Sequence, residues 1–341
     1  MTVKSSKSRE LREQMPGPLP WIDDPWGIVW RSYHLARGFR PGRAARLVGG
    51  LFRDIRFDRP VFIIGVSRSG TTMLFRLLSE CPELGALPGE GHNLWRAFHH
   101  PRSSGWSSDA VRAGEVRRGE RRFVAAYLRS YFPNARFVEK TPENSFRVPY
   151  LLELFPDARF IIVRRDPLDT INSLINAWRD PRGRFRSYIV PEDLEIPGYP
   201  HRRRWCFSLI EGWRDLRTST VPEIVCAQWE AYVEALAAAR ERIKPERLLE
   251  VYFEDLIGEP KSTGRRLCDF AEVAYDASFA ARLERMVQQP VYALGSSREA
   301  KWRGANREEI LELMPRIEPT APTAGYSIER ESEEPTFRPI R

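Results

Sequence analysis

The chain has 341 residues, and 54 Lys and Arg against 46 Asp and Glu leave a formal net charge of +8. Its 42% hydrophobic and 29% charged residues are the balance of a folded globular protein, which excludes a disordered chain and a small disulfide-stapled scaffold. The length suits two domains or one large α/β domain, and the basic excess points to an anionic partner such as a nucleotide, an acidic glycan, a nucleic acid or a lipid headgroup.

Residues 1–20 are polar and end in Pro16, Pro18 and Pro20, so they read as a disordered tail. Met1 to Gln14 contains no apolar core of a signal peptide. Residues 21–59 carry Trp21, Trp26, Trp30 and Tyr33, and the spacing Ile28, Trp30, Tyr33, Leu35 predicts a helical extension packed on a later core. No apolar run approaches the ~18 residues that span a bilayer. Cys81, Cys206, Cys226 and Cys268 stand far apart without a C-x-x-C pair, as expected of reduced packing cysteines in a cytoplasmic protein.

Pro60-Val-Phe-Ile-Ile-Gly65 is short, apolar and bounded by Pro and Gly, and predicts a buried parallel strand. Apolar residues at 73, 74, 77 and 78 predict a helix opening at Thr71 and closed by Pro82. Arg136 to Glu139 and Arg159 to Val163 predict further strands, with a helix over Val148 to Phe155 between them. Asp166-Pro167 supplies an N-cap and a first-turn proline for a helix to about Ala177. A helix over Trp229 to Ile243, a strand over Leu248 to Phe253 and a helix near Lys261 to Phe270 follow. The alternation predicts an α/β fold, three-layered and P-loop-like, with a central parallel sheet and helices on both faces. Two stretches rich in Arg, aromatics, Gly and Pro, about 90–130 and 179–215, interrupt it as cap insertions. The domain is expected over 60–326, with a polar, disordered C-terminal tail over 327–341.

Gly65-Val-Ser-Arg-Ser-Gly70-Thr71-Thr72 has the glycine spacing of a Walker A loop, but Thr71 replaces the phosphate-neutralising lysine. The strand ending at Val163 runs into Arg164 and Arg165 rather than a Mg²⁺-binding carboxylate. The loop therefore offers Arg68, Ser69, Gly70, Thr71 and Thr72 to an anion that needs no metal. Arg165 leaves a strand end and Ser173 lies about two turns into the next helix, so both can reach one phosphate. A P-loop nucleotide kinase or NTPase with a degenerate loop, and a non-catalytic nucleotide-binding module, are the competing readings. Scattered arginines and the lack of a recognition motif argue against nucleic acid.

The run F-I-I-G-V-S-R-S-G-T-T-M-L resembles the 5′-phosphosulfate-binding loop of sulfotransferases that use 3′-phosphoadenosine-5′-phosphosulfate (PAPS), and Arg165 to Ser173 is similar to their 3′-phosphate-binding segment. The resemblance implies transfer of a sulfuryl group from PAPS to a hydroxyl or amine of a glycan, glycolipid, peptide tyrosine or small metabolite. Adenosine 3′,5′-bisphosphate would be the product, no metal would take part, and a homodimer is possible. Val251-Tyr-Phe-Glu-Asp-Leu256 resembles the family's Y-E-D-L strand, with Phe253 in place of Tyr. Ser296 to Arg303 with Gly325-Tyr326 is similar to a C-terminal segment that folds over the cofactor, which would bring Lys301 to the phosphates.

Sulfuryl transfer needs a base for the acceptor's proton and cations for the charge growing on the bridging oxygen. Glu139-Lys140-Thr141-Pro142 lacks the histidine of the cytosolic phenol and steroid enzymes. It resembles the heparan sulfate type, in which the Glu is the base, and the tyrosylprotein type, in which the Lys stabilises the transition state. In the latter type the base lies in a loop after the first helix, where this chain has Gly89-Glu90-Gly91-His92. Glu90, Glu139 and His92 are therefore the candidate bases, with Glu90 favoured, and Lys140 and Arg68 form the expected cation pair. His201 to Arg204, with Arg182, Arg184 and Arg186, is either an acceptor-binding basic patch or a solvated charged face.

Overall fold

A computed structural model describes residues 41–288, 301–329 and 335–340. The expected tail over 1–20, the apolar spacing over 28–35 and Ser296 lie outside the described residues.

Helix α1 (Pro41–Leu51) precedes β1 (Val61–Gly65), α2 (Thr71–Ser79) and the two-residue strand β2 (Gly85–Ala86). Strands β3 (Phe137–Glu139), β4 (Arg159–Arg164), β5 (Arg186–Ile189), β6 (Arg204–Cys206) and β7 (Leu248–Tyr252) follow. β2, β3, β1, β4 and β7, in that spatial order, make a wholly parallel sheet. In the register, Phe62 stands opposite Phe160, and Gly65 opposite Val163.

The period of two along each strand separates the core into two layers. Phe62, Ile64, Phe137, Phe160 and Ile162 face the helices over Val148–Leu154, Pro167–Trp178 and Val221–Arg242. Val61, Ile63, Val138, Ile161 and Val163 face α2 and the helices over Pro260–Ala271 and Ala277–Gln288. Burial on both faces explains why β1 and β4 read as continuous apolar runs.

From β1 the chain runs to β2 and β3 on one side and then crosses to β4 and β7 on the other. The loops leaving β1 and β4 thus emerge side by side at the carboxyl edge of the sheet, at its switch point, where open α/β sheets bind ligands.

Asp166 caps the helix over Pro167–Trp178, accepting the Asp169 amide at 2.9 Å. The long helix begins at Val221 rather than near Trp229. Thr220 and Glu223 form a capping box, with the Thr220 amide 2.7 Å from the Glu223 carboxylate, and Pro222 sits in the first turn. The strand expected to Phe253 stops at Tyr252, and Phe253 opens the short helix Phe253–Gly258.

The expectation of an irregular tail after Tyr326 is corrected. β8 (Tyr326–Glu329) and β9 (Thr336–Pro339) pair antiparallel, and the Ile340 amide donates to the Gly325 carbonyl at 2.8 Å. Tyr326 and Phe337 bury their rings in the main core, which holds this hairpin despite its polar neighbours.

The first insertion contains helices His92–Trp95 and Glu120–Tyr131; the second contains the β5–β6 hairpin over buried Trp178, Trp205 and Trp213. Asp109 joins the two. It meets Arg147 at 2.9 Å and accepts the Leu209 amide at 2.7 Å, all in the interior.

Candidate active site

The loop after β1 turns on a 3.1 Å bond from the Ser69 amide to the Val66 carbonyl. Arg68 and Gly70 have φ of 75° and 103°. A Cβ at Gly70 would lie 2.4 Å from the Phe253 ring, so residue 70 must be glycine for both conformation and space. Ser145 Oγ holds Gly65 at both ends, 3.1 Å from its amide and from its carbonyl oxygen. Ser69 is buried, and its hydroxyl has no hydrogen-bond partner among the described residues. An orphaned hydroxyl beside a helix N-terminus fits an anionic oxygen.

Strand alternation separates two adjacent arginines at the end of β4. Arg164 turns away to Glu250 and to the Ala324 carbonyl at 2.6 Å. Arg165 turns toward the loop, donating to the Arg68 carbonyl at 3.0 Å with its guanidinium 4.9 Å over the Phe253 ring. Arg68 in turn donates through Nε to Ser173 Oγ at 3.3 Å and lies 4.9 Å over the Phe185 ring. The two segments that the sequence placed on one nucleotide are therefore in contact. Burial, followed by repulsion from Arg165 and Arg184, lowers the Arg68 guanidinium to about 10. Lys301, in a short turn packed on the helix over Pro167–Trp178, is also lowered by burial and by Arg165. Mutually opposed cations beside an orphaned hydroxyl make a site that an anion relieves.

Lys140, at the end of β3, points its ammonium at Glu90 and, at 3.0 Å, at the Thr72 hydroxyl. Glu90 Oε2 lies 2.5 Å from His92 Nε2. Burial would raise the Glu90 carboxyl, but His92 and Lys140 hold it below the ordinary carboxylate range. His92 Nδ1 lies 3.1 Å from Glu143, whose other oxygen accepts from Arg96 at 2.9 Å. Burial would lower the imidazole, yet the carboxylates of Glu143 and Glu90 push it up to about 9.

Glu139 occupies a different place. It is 2% exposed, and its carboxylate accepts the Gly91 amide and Trp95 Nε1 at 3.2 Å each, Asn144 Nδ2 at 2.6 Å and the Thr141 hydroxyl. Burial raises its pKa. These donors bind the turn that carries Glu90 to the end of β3, so Glu139 lies beneath Glu90. Glu139→Ala orphans several buried donors and is expected to lower the unfolding free energy by about 3 kcal/mol, read from the denaturant midpoint.

Sequence reasoning left Glu143, Arg96 and Phe185 without roles. Glu143 lies inside the E-K-T-P-E-N segment, but only the tight turn Pro142–Phe146 shows that it faces inward. In the basic cap, Arg184 pairs with Asp180 at 3.1 Å, Arg202 with Asp193 at 2.6 Å, and Arg203 donates to the Val190 carbonyl at 2.9 Å. Among the described residues, no cluster of His, Cys, Asp and Glu is arranged to hold a metal, and no helix is long and apolar enough to cross a membrane.

A family model described as "Sulfotransferase family" matches residues 60–196 and 199–277. No curated protein sequence matches the chain. Among solved structures, sulfotransferase STF9 from Mycobacterium avium is 20% identical, covering 91% of this chain and 88% of its own with a TM-score of 0.55, which shows a shared fold. Mouse sulfotransferase SULT7A1 complexed with PAP is 14% identical, covering 84% of this chain and 93% of its own, with a TM-score of 0.42.

Proposed function

The chain belongs to the sulfotransferase family and is a sulfuryl transferase, and on that premise we propose that its donor is PAPS and its acceptor a hydroxyl or amine. The observation that supports the choice of donor is the contact of Arg68 with Ser173 and of Arg165 with the Arg68 carbonyl, which brings together the two segments that resemble phosphate-binding ones. Ser69, Thr71, Thr72 and the amides around Gly70 receive the 5′ end of the nucleotide in this reading. Arg165, Ser173 and Lys301 receive the 3′-phosphate. The bound donor supplies an activated sulfuryl group on a phosphate that departs when the acceptor attacks.

This chain's residues perform the remaining tasks. Glu90 takes the acceptor's proton. Lys140 and Arg68 offset the charge that grows on the departing oxygen, and their fixed positions make them effective in the transition state. Glu139 keeps the Glu90 turn in place. The acceptor belongs to the hydroxyl- or amine-bearing glycans, lipids, peptides and metabolites. The native enzyme is expected to bind adenosine 3′,5′-bisphosphate, by calorimetry, equally well with a metal chelator or with Mg²⁺. Binding that required Mg²⁺ would overturn the assignment and return the site to kinase-type chemistry.

A further inference from the structure

His92 is the one imidazole joined to the Glu90–Lys140 pair among the described residues, and both of its ring nitrogens face carboxylate oxygens. Nε2 is hydrogen-bonded to Glu90 at 2.5 Å, and Nδ1 stands at ion-pair distance from Glu143, 3.1 Å, without the alignment of a hydrogen bond. A neutral imidazole carries one N–H, so either tautomer would turn a lone pair toward an anionic oxygen, whereas the doubly protonated ring is attracted by both carboxylates. Glu143 is nearly fully buried and is anchored by Arg96, which donates also to the Tyr188 hydroxyl at 2.7 Å and lies 4.3 Å over that ring. The imidazole is thus gripped from below by a rigid carboxylate and grips Glu90 above.

We propose that His92, fixed by Glu143, is a positioning residue that holds Glu90 by Oε2, so that Lys140 engages Oε1 alone and the second lone pair of Oε1 faces the acceptor's proton. The inference rests on Glu90 being the base. In the transfer step the acceptor's O–H or N–H bond breaks, and the proton passes to Glu90 Oε1. The freed electron pair forms the bond to sulfur, while the sulfur–oxygen bond to the donor phosphate breaks with its pair on that phosphate. His92 neither gains nor loses a proton. It keeps the carboxylate from turning both oxygens to Lys140, so that Oε1 stays aimed at the acceptor while Lys140 holds it from one side.

The groups facing His92 are Glu90 from its own turn, Glu143 from the turn after β3, and Arg96 from the end of its helix; Lys140 acts through Glu90. The two carboxylates keep the ring charged up to about pH 9. Activity is therefore expected to rise as Glu90 ionises, below the ordinary carboxylate range, and to fall as pH climbs through about 9.

The experiment compares His92→Gln, Glu143→Gln and Glu90→Gln in the full chain, with folding checked by thermal melting and kcat and donor KM measured from pH 5 to 10. His92→Gln is expected to lower kcat about 10- to 100-fold with donor KM within about twofold. The fall centred near pH 9 should vanish, because glutamine does not titrate there, leaving only a later fall toward pH 10 where Arg68 loses its proton. Glu143→Gln should keep an alkaline limb but move it down by at least about 1 pH unit, since the chief opposing charge is gone. A His92→Gln enzyme with unchanged kcat, or with an unchanged alkaline limb, overturns the positioning role. Full activity in Glu90→Gln overturns instead the assignment of the base, whatever His92 does.

Discussion

Glu90→Gln is expected to reduce kcat by about 10²- to 10⁴-fold while leaving the affinity for adenosine 3′,5′-bisphosphate within about twofold. The amide has the carboxylate's shape but cannot accept the acceptor's proton. The nucleotide's affinity should hold because Glu90 is anionic and belongs to the Lys140 cluster rather than to the Arg68–Arg165 cluster. Loss of the negative charge also frees Lys140 from its partner, which strengthens its pull on an anion at Thr72 and opposes any loss of binding. Single-turnover transfer and calorimetry on the same preparation separate the two quantities. A kcat within about threefold of the native value would move the base to another group. Equal losses in kcat and in nucleotide affinity would instead make Glu90 a binding residue.

Arg165→Ala carries the second large effect, on affinity. A charge-assisted hydrogen bond to a phosphate contributes about 1.5–3 kcal/mol, so nucleotide binding is expected to weaken about 10- to 150-fold. The Arg68 carbonyl loses its donor at the same time, at a residue whose φ is 75°, and the loop loses one of its supports. Arg164→Ala is the matched control, one residue away on the opposite side of β4. Its guanidinium holds Glu250 and the Ala324 carbonyl, so this change should lower the denaturant midpoint and leave affinity nearly intact. The pair of variants thus reads out strand alternation as two different phenotypes. Equal affinities for Arg165→Ala and Arg164→Ala would remove Arg165 from the phosphate site.

The contrast between these arginines marks where sequence reasoning succeeds. β1, β4 and the helices after them are legible because apolar runs are bounded by Pro, Gly and a capping Asp, all of which act locally. Those local signals fix Arg165 and Ser173 in one segment and Arg68 in another. Their contact follows from the parallel pairing of β1 with β4. β2 was not legible, since two residues cannot show a period. The hairpin of β8 and β9 was missed because two buried aromatic rings outweigh a polar local composition. Glu143, Asp109 and Arg147 are buried, with Arg96 half-buried beside them, yet charged residues are usually exposed, and composition gives no sign of burial. Glu90 is favoured over Glu139 on its place in a Gly-flanked turn; what the sequence does not show is that four donors gather around Glu139 in the interior.

Tyr326 reaches Glu254 with its hydroxyl at 2.9 Å, and the other oxygen of Glu254 accepts the amide of Asp166 at 2.8 Å. Asp166 directly follows Arg165 in the chain. A residue 160 positions after Asp166 thus buttresses the peptide that aims Arg165. Shortened or tagged versions that disturb Tyr326 would handicap nucleotide capture even though every residue of the phosphate loop stayed intact. Affinity columns that immobilise adenosine 3′,5′-bisphosphate would retain such versions less firmly than the unaltered 341-residue chain.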